Sequence, residues 1–235
     1  MRNKKTLLIS SLVTVFLIYD FSFAKTIQER FKDKKKLTYK VSFNGIPSGR
    51  INWEYLGKEY LGDKETEVLT VSSTTKILKF LNLTSSEKVF IDSLTNLPLL
   101  VERDIVLFGK KEIIREVYDQ KKGIVRIIRT DSKTRENILA QTTPIHNILA
   151  LLYFFPEDIK LKKKKWMSFN LPNQKVKIRF ISERTLSTSK GNKKTYFLIG
   201  RGAKRFNLWL DKLTRLPLRL EFVFPIGKII IVKVD

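Results

Sequence analysis

From Leu37 onward the chain alternates between apolar and polar residues. Tyr39, Val41 and Phe43 are apolar, and Thr38, Lys40 and Ser42 between them are polar. A period of two marks a half-buried strand. Asn44-Gly45-Ile46-Pro47-Ser48-Gly49 is dense in turn formers, after which Ile51, Trp53 and Tyr55 resume the alternation. This predicts a β-hairpin whose second strand is closed by Gly57 and Gly62-Asp63. Thr66 to Thr74 is β-branched and predicts a third strand. Thr75 to Leu83 reads as a short helix or an irregular strand. Strands are predicted next at Glu87 to Ile91, Leu97 to Leu107, Glu112 to Tyr118 and Gly123 to Arg129, with turns at 92–96, Gly109 and 119–123. Further strands follow at Trp166 to Phe169, Val176 to Ser182, Thr195 to Gly200, Arg205 to Leu210, Leu216 to Phe224 and Lys228 to Val234. No β-α-β alternation occurs, so an antiparallel meander is expected.

One segment breaks the pattern. Ile145 to Phe155 (IHNILALLYFF) carries no Asp, Glu, Lys or Arg, follows Thr143-Pro144 and ends at Pro156. Thr at an N-cap with Pro behind it is a helix-start signal. As a helix the run would span roughly 17 Å at 1.5 Å per residue, far less than a bilayer. Two roles fit it: a buried core helix, or an apolar lid over a ligand cavity.

The expected fold class is therefore mainly β: a large curved antiparallel sheet, an open or half barrel, with one short apolar helix near 144–155. The sheet would be built from two similar halves if an internal match is structural. Asp92-Ser93-Leu94-Thr95-Asn96-Leu97-Pro98-Leu99 resembles Asp211-Lys212-Leu213-Thr214-Arg215-Leu216-Pro217-Leu218. The shared unit is strand, Asp-led turn, Pro-led strand. Ser42-Phe43-Asn44 and Ser168-Phe169-Asn170 form a weaker echo. The halves would be 37–142 and 157–235, joined by the helix, within a single domain spanning 37–235. Residues 25–36 (KTIQERFKDKKK) read as a charged arm.

Residues 1–24 supply an address. Arg2, Lys4 and Lys5 form a basic head, Thr6 to Ile18 an apolar run of about 13 residues, and Ser22-Phe23-Ala24 a small-residue cleavage site. That is the three-part pattern of a signal peptide, and the run falls short of the roughly 20 residues of a spanning helix. There is no Cys, so neither a lipidated N-terminus nor a disulfide is expected. The expectation is a periplasmic, soluble, unlipidated protein.

Charge changes its meaning in that light. The chain holds 46 Lys and Arg against 23 Asp and Glu, a formal net charge of +23. Export removes nucleic acid as the partner. Two explanations remain: a Lys-rich composition with no partner, or an anionic envelope surface. Lys162, Lys163, Lys164 and Lys165 form the sharpest local peak and are the candidate contact for such a surface.

The chemistry inventory is sparse. His146 is the only histidine and lies on the apolar segment; there is no Gly-x-Ser-x-Gly elbow, no phosphate loop or dinucleotide fingerprint, and too few ligands for zinc. No metal, cofactor or catalytic residue is expected, and the protein is read as a non-enzyme. The candidates for an apolar ligand are Trp53, Tyr55, Ile148, Leu152, Phe155 and Trp209, which can equally be core.

The hairpin LTYKVSFNGIPSGRINWEY, the helix Ile148 to Phe155 and the closing FNLWLDKLTRLPLRLEF resemble the exported bacterial family called domain of unknown function 3108. That family's usual Asp before the helix and Arg after it are missing, and Asn147 and Pro156 stand nearby instead. The Trp-x-Asp…Leu-Pro hairpin is also loosely similar to periplasmic lipoprotein and lipid carriers with a half barrel and helical lid. The resemblance implies a periplasmic antiparallel β protein and assigns no catalytic residue. Two functions fit: a carrier of an apolar, lipid-like ligand, or an envelope assembly factor binding a protein or anionic polymer through its basic surface.

Overall fold

The computed structural model describes residues 36–77, 81–155, 161, 165–225 and 227–234. The leader 1–24, residues 25–35 of the charged arm, and Lys162 to Lys164 lie outside them. The described residues form fourteen strands: β1 (Lys36–Phe43), β2 (Ile46–Leu61), β3 (Lys64–Ile77), β4 (Leu81–Asp92), β5 (Pro98–Leu107), β6 (Lys110–Asp119), β7 (Ile124–Thr130), β8 (Thr134–Ala140), β9 (Trp166–Leu171), β10 (Gln174–Thr188), β11 (Gly191–Arg201), β12 (Arg205–Asp211), β13 (Pro217–Phe224) and β14 (Gly227–Val234). All lie in one antiparallel sheet, ordered β8-β7-β6-β5-β4-β3-β2-β1-β14-β13-β12-β11-β10-β9. It is two meanders joined where β1 pairs with β14, with Val41 opposite Ile231.

The alternation sets the faces. Leu37, Tyr39 and Val41 on β1 are buried and share a face with Trp53 on β2 and Val71 on β3. Phe206, Leu208 and Leu210 continue it on β12, with Leu198 on β11 and Leu220 and Phe222 on β13.

That face bends around a single short helix, α1 (Ile148–Tyr153). The evidence for bending is the reach of one small segment. Tyr153 meets Trp53 and Tyr55 of β2 at ring distances of 6.0 and 6.5 Å, Asn147 bonds Glu87 of β4, and Phe155 meets Phe169 of β9 at 6.4 Å. Strands so far apart in the order reach one helix only if the sheet wraps it. The sheet does not close into a barrel, since β8 and β9 remain unpaired with each other. The segment 141–147 spans the gap. The Gln141 amide N–H donates to the Gly123 carbonyl, its side chain to the Pro172 carbonyl, and Asn170 to the Thr142 carbonyl. Among the described residues no helix is long and apolar enough to cross a membrane.

Six residues cannot hold a helix by propensity alone. Packing holds this one: Ala150, Leu151, Leu152 and Tyr153 are all buried. Its start differs from expectation. Asn147, not Thr143, is the N-cap, and its side chain accepts from Leu149 N and Ala150 N. Residues 142–147 are instead occupied in bridging the sheet edges, so the Thr-Pro start signal is overridden by tertiary contacts.

Other differences have equally local causes. Of the stretch 75–83, expected as a helix or irregular strand, Thr75 to Ile77 end β3 and Leu81 to Leu83 begin β4, held by pairs such as Thr75 to Leu83, while residues 78–80 lie outside the described residues. Gly57 does not end β2 but sits in a bulge, at φ 98°, and the strand runs on to Leu61. Lys36 belongs to β1 and faces Glu54, rather than to the charged arm. Strand β8, with nearly every residue exposed, shows no apolar phase and carried no strand prediction.

The internal match is structural at its turn. Asp92 Oδ1 accepts from Leu94 N and Thr95 N at 3.0 and 2.9 Å, and Asp211 Oδ1 from Leu213 N and Thr214 N at 2.8 and 2.9 Å. Asn96 and Arg215 occupy the same left-handed position, φ 56° and 55°. The likeness extends beyond the matching sequence. Buried Thr66 donates to the Glu59 carbonyl across β2–β3, and buried Thr195 to the Arg184 carbonyl across β10–β11. The weaker echo does not align: Phe43 is the last residue before its two-residue turn, and the corresponding residue before the β9–β10 turn is Leu171, not Phe169.

Candidate ligand-binding cleft

Helix α1 has two unlike surroundings. On its β1–β8 side it is fixed by a polar network built on the inner face. Arg103 of β5 donates to Glu87 of β4 at 2.6 Å and reaches Glu116 of β6 at 3.5 Å. Tyr118 donates to the other oxygen of Glu116 at 2.7 Å, and Asn147 donates to Glu87 at 3.4 Å. Burial alone would lower the Arg103 pKa, but the Glu87 hydrogen bond and the charges of Glu87 and Glu116 outweigh it, and the guanidinium is held charged. Burial, then the Glu116 charge, push the Tyr118 hydroxyl far upward, so it stays a donor. On β2, Tyr55 donates a hydrogen bond to buried Glu67 of β3.

This network is satisfied within itself. It anchors the helix and leaves no exposed acid–base pair. His146, beside the helix, meets Phe169 edge-on at 5.4 Å, and burial lowers its pKa. Among the described residues no group of three or more His, Cys, Asp or Glu is placed to hold a metal ion.

On its β9–β14 side the helix stands off from the sheet. A cavity of about 210 Å³ lies between them. Its walls are Ile148 and Leu152 of α1, Leu171 of β9, Gln174 and Val176 of β10, Phe206 of β12, Leu220 and Phe222 of β13, and the turn Gly202-Ala203-Lys204 between β11 and β12. Only Gln174 and Lys204 bring polar side chains. The Gln174 side-chain oxygen is already used, accepting from Ala203 N at 2.7 Å. That bond ties the turn to β10, and a side chain on Gly202 would approach the Gln174 oxygen to 2.9 Å and a Val176 methyl to 3.1 Å. The cleft is thus apolar inside, with one cation at the rim.

The candidate residues from the sequence divide between several places. Ile148 and Leu152 line the cleft. Phe155 is fully buried at the end of the helix against Phe169. Trp53 and Tyr55 are on the inner face, but on the anchored side of the helix, where Tyr55 stacks with Tyr153 and Trp53 meets it at a tilt. Trp209 falls on the opposite face, because its neighbours Leu208 and Leu210 take the inner one. There it contacts Phe197 at 4.8 Å and Arg219 at 5.5 Å. Lys165 is exposed. Sequence reasoning passed over Leu171, Val176, Phe206, Leu220 and Phe222 as binding residues, since the alternation that places them inward does not separate wall from core. It also missed the Glu87–Arg103–Glu116 network, whose signal was present: Glu87 shares the apolar phase of Val89 and Ile91, and Glu116 that of Ile114 and Tyr118.

Comparison with known proteins adds the following. The family described as "Protein of unknown function (DUF3108)" matches residues 38–234. No curated protein matches the chain in sequence. A solved β-barrel-like protein of domain of unknown function DUF1849 from Brucella abortus is similar at TM-score 0.56 and 8% identity, covering 85% of this chain and 95% of that one. That likeness is one of fold alone. A putative lipoprotein from Parabacteroides distasonis aligns over 84% of this chain and 92% of its own, at TM-score 0.31 and 9% identity, too low to carry an argument.

Proposed function

Because the chain belongs to the DUF3108 family of proteins of unknown function, its role has to be argued from its own geometry, and we propose that it is an exported, non-enzymatic binding protein for an apolar chain. The observation that carries this is the 210 Å³ apolar cavity between α1 and the β9–β14 half of the sheet. A void lined by Leu, Ile, Val and Phe forfeits dispersion contacts and favours an apolar occupant over water. The polar network on the other side of the helix supports the reading, since it holds one wall of the cleft in place without entering it. The signal-peptide pattern of residues 1–24 supports the periplasm as the proposed site of action.

The test is a titration of protein purified without detergent against decanol, followed by calorimetry. Saturable binding of one equivalent, lost in Leu152→Trp while the folded signature in circular dichroism persists, supports the proposal. Absence of binding to the wild type, or undiminished binding in Leu152→Trp, removes it. The location is tested separately, by N-terminal sequencing of the protein from a periplasmic fraction, where the mature chain should begin at Lys25.

A further inference from the structure

Resting on the reading of the cleft as a binding site, we propose that its ligand is a single-chain amphiphile with an anionic head, the chain under α1 and the head at Lys204. Two observations fix the class. The first is size. At about 210 Å³ the cavity exceeds the ~150 Å³ apolar cavity that takes benzene but falls below the ~300 Å³ at which drug-sized pockets begin. It accepts the end of one alkyl chain and has no room for several.

The second is charge at the mouth. The β11–β12 turn reads Arg201-Gly202-Ala203-Lys204-Arg205, with all three cations exposed. Among the described residues none of the three forms an ion pair, although many other basic residues of the sheet do. Arg201 lies over the Trp166 ring at 5.0 Å and Lys204 over the Phe224 ring at 5.7 Å, both faces of aromatic groups rather than carboxylates. Among the described residues no acidic side chain lines the cleft. The Gln174 bond to Ala203 and the Gly202 N–H bond to the Lys204 carbonyl hold the turn against the rim. An anion at the mouth therefore meets an unneutralised ammonium on an ordered turn, while a cationic head meets repulsion. A carboxylate and a phosphate share this chemistry.

The experiment compares four ligands with the same chain, each below its micelle concentration: decanoate, decyl phosphate, decanol and decyltrimethylammonium. Decanoate and decyl phosphate should bind about tenfold more tightly than decanol, the scale of one charge-assisted hydrogen bond, and decyltrimethylammonium more weakly than decanol. Whichever of the two anions binds more tightly identifies the head. Lys204→Glu should abolish the gap between anion and alcohol. Lys190→Glu, an equal charge change in the β10–β11 turn at the other end of those strands, should preserve it. If decanol binds as tightly as decanoate, or if both variants reduce the gap equally, the headgroup assignment is wrong and the apolar cleft stands. If none of the four binds, the reading of the cleft itself fails.

Discussion

Asn147 is the residue through which the two sides of the helix are coupled, and its removal gives the most informative perturbation. Its side-chain oxygen accepts from Leu149 N at 2.8 Å and Ala150 N at 3.2 Å, and its amide donates to Glu87 at 3.4 Å. Asn147 itself is 3% exposed and Ala150 2%, so water does not replace these bonds. Losing an N-cap costs about 1 kcal/mol. Leaving buried N–H groups without an acceptor adds about 1 kcal/mol. Glu87 retains Arg103, so its loss of the long Asn147 contact adds little. Asn147→Ala is therefore expected to destabilise the fold by about 2 kcal/mol. For a domain of this size that is a fall in Tm of about 4–8 °C. Asn147→Ser keeps an oxygen at the cap and should cost about half as much. Urea unfolding measures both, with the midpoint shifted and the slope unchanged. A cost for Asn147→Ala within 0.5 kcal/mol of zero, or no recovery with Ser, would refute the cap as the support of this helix.

Three further outcomes follow from the same geometry. Arg103→Ala leaves the largely buried Glu87 and Glu116 facing each other and should cost about 3 kcal/mol, partly recovered when Glu116→Gln is added; urea midpoints decide it. Glu221 gives the acid limb of stability. Burial raises its pKa, but hydrogen bonds from Lys228, Arg219 and Asn207 outweigh that and hold it below the usual carboxylate range. The unfolded chain then takes the proton first, so this contribution is complete above about pH 4.3 and fades as pH falls through the folded value. Thermal melts of Glu221→Gln between pH 3 and 6 should show a flatter acid limb than wild type. Gly123 has φ 66° and a Cβ there would lie 2.6 Å from the Gln141 carbonyl, whereas Gly109, at φ 76°, has open space around it. Gly123→Ala should therefore cost about 1–2 kcal/mol more than Gly109→Ala in the same melts.

The sheet was legible in the sequence because a strand declares its faces locally. Tyr39 and Val41, or Phe206, Leu208 and Leu210, need no partner to show which way they point. The Asp-led turns at 92–97 and 211–216 were legible for a similar reason: the Asp side chain closes the turn by bonds within four residues. What failed depended on distant groups. The helix start moved to Asn147 because residues 142–146 are used to bridge Gln120 in the β6–β7 turn and Asn170 on β9. Strand β8 has no buried phase to reveal it, and is a strand only because β7 is beside it. The cleft was half visible. Ile148 and Leu152 could be named from the apolar helix, but Leu220 and Phe222 become wall rather than core only because the helix stands away from them. Trp209 was drawn in by its size, and the parity of its strand puts it outside. The charged residues on the apolar phase, Glu87 and Glu116, were the overlooked signal.

The central claim, that the space between α1 and the β9–β14 half receives an alkyl chain, is tested most directly by a crystal structure of the full protein grown with decanoate. Chain density is expected between Leu152 and Phe222, with the carboxylate beside Lys204. Density for decanoate only on the outer face or near Trp53, or a cleft closed by Leu152 resting on Phe222, would contradict it.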